Sequence, residues 1–229
     1  MKSINQQLAI GIIASALLVA GCSTKTQTVS STKKSEKKAA LLPPKQTMER
    51  IDLSTLKPLT PESSKEEVFT YATALITNGR FEEAEAHLAK LTEEHPELAG
   101  PHINLAISYF QSEQYDKAAS SFTKSLELKP NNALAHDYLA RIDREKGSFD
   151  TALEHYLKAI EVDPTYAPAQ RNIGILYDLY LNQPAKALGH YQKYQTLISE
   201  ADKHVAIWIR DLTNRTKAAQ NTTNDDSEE

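Results

Sequence analysis

From Ser64 to about residue 217 the apolar positions recur at helical spacing, and they do so in blocks of one fixed length. Ala84, Ala118 and Ala152 stand 34 residues apart, as do Pro96, Pro130 and Pro164, Phe81, Tyr115 and Phe149, and Leu88, Phe122 and Tyr156. A 34-residue unit with apolar residues at helical spacing and a helix breaker at its end predicts a stacked helix-turn-helix array. The fold class is therefore all-α, an α-solenoid, with units at 65–98, 99–132, 133–166 and 167–200 inside a domain spanning 64–217. Ser64-Lys-Glu-Glu67 has the form of a capping box, which predicts the start of the first helix. A stripe of Ala201, Val205, Trp208, Ile209 and Leu212 predicts an amphipathic helix over about 200–217 that covers the last apolar face, with Ser199-Glu200-Ala201-Asp202 as its start.

The third unit, ALAHDYLARIDREKGSFDTALEHYLKAIEVDP, carries Leu139-Ala140, Gly147, Phe149, Ala152, Tyr156, Ala159 and Pro164. These residues resemble the tetratricopeptide repeat family. Small Ala152 and Ala159 allow close helix approach, Tyr156 and Leu139 fill the space between, and Pro164 ends the helix. Ser125 replaces the second small residue in unit two. In unit four, Ala187 follows Ala152 by 35 residues, which predicts one extra residue in the turn of LYLNQPAKAL, with Pro184 opening the second helix.

The flanks differ in kind. Residues 23–63 have no sustained apolar period and are rich in Ser, Thr, Lys and Pro, so 22–63 is read as a flexible tether. Residues 218–229 are acidic and read as a disordered tail. Residues 1–21 have a secretory pattern: Lys2, an apolar run from Leu8 to Ala20, and small residues before Cys22. That run is too short for a bilayer of roughly 30 Å. Val19-Ala20-Gly21-Cys22 resembles the lipobox of bacterial lipoproteins, which implies cleavage before Cys22 and acyl chains on it, the covalent lipid being the only added group. Ser23 after the cysteine implies, by the same resemblance, the periplasmic face of the outer membrane.

Segment charges are about +4 over 23–64, −6 over 65–197 and −3 over 198–229. With no basic domain, nucleic acid is not an expected partner. Enzyme chemistry finds no constellation: there is no glycine-rich phosphate loop, nucleophile elbow or HExxH, and no catalytic or metal-binding residue is assigned. His87, His155 and His190 share one repeat position, but equivalent helices stand about 8–10 Å apart, too far for one shared zinc. Tyr166, Tyr177, Tyr180, Tyr191 and Tyr194 are read, with Trp208, as packing between the last repeat and its cap rather than as a second partner surface.

The resemblance implies that the first helix of each unit lines a concave groove that holds a protein partner. Carried onto this chain, the contact positions are Phe69, Thr73 and Ile76 in unit one, Ile103, Ile107 and Phe110 in unit two, Asp137, Arg141 and Arg144 in unit three, and Arg171, Ile175 and Asp178 in unit four. The first half of such a groove is apolar and the second carries arginines, which suits an extended or amphipathic segment of another envelope protein bearing an acidic group. Alternatively Leu41-Leu42, or Ile51 and Leu53, fold back over Phe69 and Ile103. The expected function is a non-enzymatic adaptor or scaffold, in peptidoglycan hydrolase recruitment or in pilus or secretion assembly. The alternatives are a glycan-binding or peptidoglycan-acting enzyme, or an accessory subunit of an energy-transducing transport complex.

Overall fold

A computed structural model describes residues 50–225. The expected signal peptide, Cys22, Leu41-Leu42 and residues 226–229 lie outside the described residues. Helices α1 (Lys65–Thr77) and α2 (Phe81–Glu94), α3 (Ala99–Gln111) and α4 (Tyr115–Leu128), and α5 (Ala133–Glu145) and α6 (Phe149–Val162) form three hairpins. A fourth hairpin pairs α7 (Ala167–Ile175), continued by a π-helical turn (Leu176–Tyr180), with α8 (Pro184–Leu197), and α9 (Lys203–Asp225) packs on α8. Each second helix also touches the first helix of the next hairpin, and α1 meets α3 as α5 meets α7, so the four first helices form one wall of the solenoid.

Two of the four series that set the period vanish from solvent. Ala84, Ala118, Ala152 and Ala187 are fully buried, and so are Leu88, Phe122, Tyr156 and Tyr191. The small side chain lets two helices close, and the large one four residues later fills the space at the joint. Ser125 keeps the small-residue position because its hydroxyl donates to the Phe122 carbonyl, 2.7 Å away, and leaves no orphaned polar group in the core.

The three-residue turns within the hairpins share one conformation. Gly79, Glu113, Gly147 and Asn182 each adopt positive φ, between 51° and 81°. This left-handed residue closes the helix and lets the next amide bond back to the preceding turn. That amide reaches five residues back in the first three hairpins, from Arg80 to Leu75, Gln114 to Tyr109 and Ser148 to Asp143. In the fourth it reaches six, from Gln183 to Tyr177. The extra residue expected in the fourth turn is therefore in the helix: residues 181–183 form a turn as long as the others, and Leu176–Tyr180 widens into a π turn. A loop insertion would have broken the hairpin geometry that buries Ala187 and Tyr191, whereas the π turn preserves it.

Both ends depart from expectation. The Ser64–Glu67 capping box forms, with Glu67 N–H donating to Ser64 Oγ and Ser64 N–H to Glu67 Oε2. Residues 51–59, expected within the tether, instead run antiparallel along α1. The backbone of Ile51 makes two hydrogen bonds with the Asn78 side chain at one end of α1, and Lys57 pairs with Glu67 at the other. Leu53, Leu56 and Leu59 turn partly inward while their neighbours stay exposed, a period of three that a helix-period search passes over. Leu53 joins the first core cluster beside Phe69 and Ile76, and Ile51 remains exposed.

At the other end, the cap of α9 is Asp202 and not Ser199. Asp202 Oδ1 accepts from the amides of His204 and Val205, and the Gln195 side chain holds the Asp202 backbone on both sides. The helix continues past Lys217 to Asp225, so residues 218–225 are helical where a disordered tail was expected. Ala218 and Ala219 are strong helix formers, and the stretch contains no Gly or Pro to stop it.

Candidate interaction groove

The first helices α1, α3, α5 and α7 place the expected contact positions along one wall, but they treat the two halves differently. In the first half, Phe69, Thr73, Ile76, Ile103, Ile107 and Phe110 are all partly buried. Phe69 lies against Gly100, where an added Cβ would meet the ring edge at 3.5 Å. Thr73 donates to the Phe69 carbonyl and accepts from Asn104 Nδ2 at 2.9 Å, which ties α1 to α3. Ile103, Ile107 and Phe110 pack on the second core cluster. Phe110 is the centre of an aromatic run, edge-on to Tyr115 and to Tyr138, and Tyr138 in turn stacks on Phe122.

Arg141 closes this apolar half. Its guanidinium lies 4.4 Å from the Phe110 ring and 4.5 Å from the Tyr138 ring, so the cation is held between two aromatic faces. Beyond it the wall turns inward. Asp137 is buried and accepts from Asn172 Nδ2 at 2.7 Å, and its carboxyl is pushed up by burial against the opposing pull of Arg141. Arg144 is buried too, reaching the Tyr156 hydroxyl at 3.4 Å and Glu145 at 3.2 Å. Ile175 and Asp178 are buried, and Asp178 accepts from Arg215 of the cap at 3.0 Å. Arg141 and Arg171 are thus the partly exposed cations of this half. Arg144, Asp137 and Asp178 belong to the joints between repeats and cap.

The raised Asp137 group has a pH signature. A carboxyl whose folded pKa lies above its unfolded value favours the folded state when protonated, and that contribution falls as pH rises from about 4. Asp137→Asn should therefore gain stability relative to the parent as pH increases from about 4 to neutrality, read as the difference in urea midpoints. A difference that stays constant with pH would show that the Asp137 charge is fully compensated.

Sequence reading missed Asn104 and Asn172. They share one repeat position and both reach back to the preceding first helix. Their 68-residue separation was the available signal, obscured by Tyr138 between them. His87, His155 and His190 are each engaged within their own repeat: His87 meets Tyr71 edge-on, His155 faces His136, and His190 Nδ1 lies 2.9 Å from Gln170 Oε1. His102 Nε2 lies 3.2 Å from the Pro96 carbonyl. Among the described residues no group of three or more His, Cys, Asp or Glu is placed to hold a metal ion, and no described helix is long and apolar enough to cross a membrane. Tyr177 and Tyr191 are buried in the last cluster, with Tyr180, Tyr194 and Trp208 packed against it.

Comparison with known proteins agrees with this architecture. Two family models match, one described as tetratricopeptide repeat over residues 101–132 and one as TPR repeat over residues 140–178. Among solved structures, pilF of Pseudomonas aeruginosa is 22% identical, with 67% of this chain and 69% of that chain covered and a TM-score of 0.60. TTC0263, a thermophilic TPR protein of Thermus thermophilus, is 18% identical, with 67% and 83% covered and a TM-score of 0.56. MamA of Desulfovibrio magneticus RS-1 is 18% identical, with 59% and 76% covered and a TM-score of 0.54. At these identities the likeness is one of fold. No curated protein matches the sequence. The chain carries tetratricopeptide repeats and folds as an all-α tetratricopeptide solenoid.

Proposed function

We propose that this chain is a non-enzymatic adaptor, held at the periplasmic face of the outer membrane by acylated Cys22, that captures an extended or amphipathic segment of another envelope protein. Tetratricopeptide arrays are scaffolds for protein–protein interaction, and the chain has that scaffold. The observation that carries the reading is the row Phe69, Ile76, Ile103, Ile107 and Phe110, apolar side chains left only partly buried along one wall and followed by Arg141 and Arg171. Apolar side chains gathered in a groove mark a binding surface, and the two cations give an acidic group on the partner a place to end. The services that fit are recruitment of a peptidoglycan hydrolase and assembly of a pilus or secretion complex. Acyl chains on Cys22, each CH₂ contributing about 0.8 kcal/mol, would make the anchor effectively permanent.

The test is crosslinking in intact cells with the lipidated chain as bait, followed by identification of the partner. Replacing Phe69 and Ile107 together by Asp should lower capture of that partner at least about tenfold while leaving helicity intact, since neither side chain is fully buried. Unchanged capture would place the site elsewhere. Binding or cleavage of isolated peptidoglycan by the purified protein would overturn the adaptor reading, and a Cys22→Ser protein that still fractionates with the outer membrane would overturn the anchor.

A further inference from the structure

One side-chain pair is absorbed by neither the core nor the groove. His136 on α5 and His155 on α6 face one another across the third hairpin with their Nδ1 atoms 3.4 Å apart. Both rings are partly open to solvent. The Pro130 backbone hydrogen-bonds His136, as Pro96 does the equivalent His102, and the Asp143 carboxylate lies near His155, with Oδ2 3.8 Å from Nε2. An acceptor on the far side of a ring favours the tautomer that leaves the inner lone pair free to ligate.

The fourth hairpin supplies an internal comparison. At the same two positions it holds Gln170 and His190, joined at 2.9 Å, an ordinary hydrogen bond. The His136–His155 separation is longer than such a bond prefers, and it matches another geometry. Two imidazole nitrogens bound to one zinc ion at about 2.0–2.1 Å in a tetrahedral arrangement are about 3.3–3.4 Å apart. The rings meet nearly nitrogen to nitrogen, with centroids 5.7 Å apart and a 31° tilt. Seating an ion off that line asks each ring to turn by about 30°, which their solvent-facing edges allow. Charge around the pair is close to balanced, with Asp143 and Glu161 against Lys146 and Lys158.

We propose that His136 Nδ1 and His155 Nδ1 form a two-histidine chelate for a zinc-class divalent ion, with water completing its coordination. It is distinct from the row of His87, His155 and His190, whose members lie in different repeats. Its ligands come from the two helices of one hairpin, so a bound ion would fasten α5 to α6. An ordinary imidazole is already mostly neutral near pH 7.5 and so able to ligate.

Isothermal titration of zinc chloride into the purified chain, in chelator-free buffer near pH 7.5, tests this directly. The informative variant is His136→Gln, because it reproduces the Gln170–His190 pair and so keeps a hydrogen bond while removing a ligand. Zinc affinity should fall at least about tenfold in His136→Gln and in His155→Ala, stay unchanged in His190→Ala, and be lost in the parent near pH 5.5 as protons compete. Melting temperatures without zinc report whether each variant folds, and the parent and His190→Ala should gain melting temperature with zinc while His136→Gln and His155→Ala should not. Equal zinc affinity in the parent and His136→Gln, an equal loss in His190→Ala, or no zinc binding by the parent would each overturn the assignment.

Discussion

Leu212→Asp is expected to cost about 3–5 kcal/mol and to release α9 from the end of the solenoid. Leu212 and Val205 are both fully buried and belong to the same cluster as Tyr191, Ile173 and Leu176. Trp208 lies 5.4 Å from the Tyr191 ring and closes the same face. The substitution removes the transfer energy of a buried leucine and places a carboxylate in a buried, mostly apolar cluster. With the cap gone, the π turn and α8 lose their cover, so the fourth hairpin should unfold ahead of the first three. Hydrogen exchange would show this as loss of protection confined to residues after about 167, because repeats exchange stability chiefly with their neighbours. Loss spread evenly over all four hairpins would show that the array folds as one cooperative block. The Arg215–Asp178 pair is a weaker support for the cap: the carboxylate side chain is only 1% exposed but the guanidinium side chain is 38% exposed, so much of its attraction is screened.

Gly174→Ala should destabilise by about 1–3 kcal/mol. A Cβ at that position would stand 2.5 Å from two atoms of the Tyr191 ring, closer than carbon atoms approach, and Tyr191 is fully buried. The equivalent positions in the other repeats are alanines, Ala72, Ala106 and Ala140, so a repeat consensus would recommend the very change that the structure forbids. The cost should disappear when Tyr191 is also replaced by Leu, and this coupling in a double-mutant cycle distinguishes a steric cause from a loss of backbone freedom. Gly189→Ala is the contrasting case. That glycine lies within α8 and a Cβ there meets nothing within 4 Å. The chain should gain about 0.5–1 kcal/mol there from the better helix former. Urea unfolding of the two single variants would give shifts of opposite sign.

Most of the scaffold was legible because its information is local and repeated. Four positions kept a spacing of 34; the Ala84 and Leu88 series proved to be fully buried where helices meet, the Phe81 series is partly buried at the starts of the second helices, and the Pro96 series stands exposed just beyond their ends. The Ser64 capping box and the helix start at Pro184 were legible for the same reason, since caps depend on three or four adjacent residues. The candidate groove was only half legible. The apolar row could be placed on one wall by carrying the family's contact positions onto the repeat register, but burial could not, because it depends on which neighbour arrives. Arg144 reads as a groove cation until Tyr156 and Glu145 surround it, and Asp178 reads as groove charge until Arg215 reaches it across 37 residues. The strap at residues 51–59 was missed since three leucines at a period of three have neither helix nor strand periodicity, and what holds them is α1 itself.

The sequence by itself determined the number of helical hairpins, their register and the alanine and large apolar positions at their joints, because helical period and repeat period are both properties of the linear chain; the face that carries the apolar row came from the resemblance to tetratricopeptide repeats. Only the tertiary structure decided where the extra residue of the fourth repeat resides. A one-residue insertion is equally compatible with a longer turn and a wider helix until packing is considered, and burying Ala187 and Tyr191 against α7 selects the π turn. Tertiary structure likewise separated buried from open arginines and brought His136 and His155 to 3.4 Å. Each of these is a distance between residues remote in sequence, and such distances follow from how hairpins close and stack rather than from the pattern of any one of them.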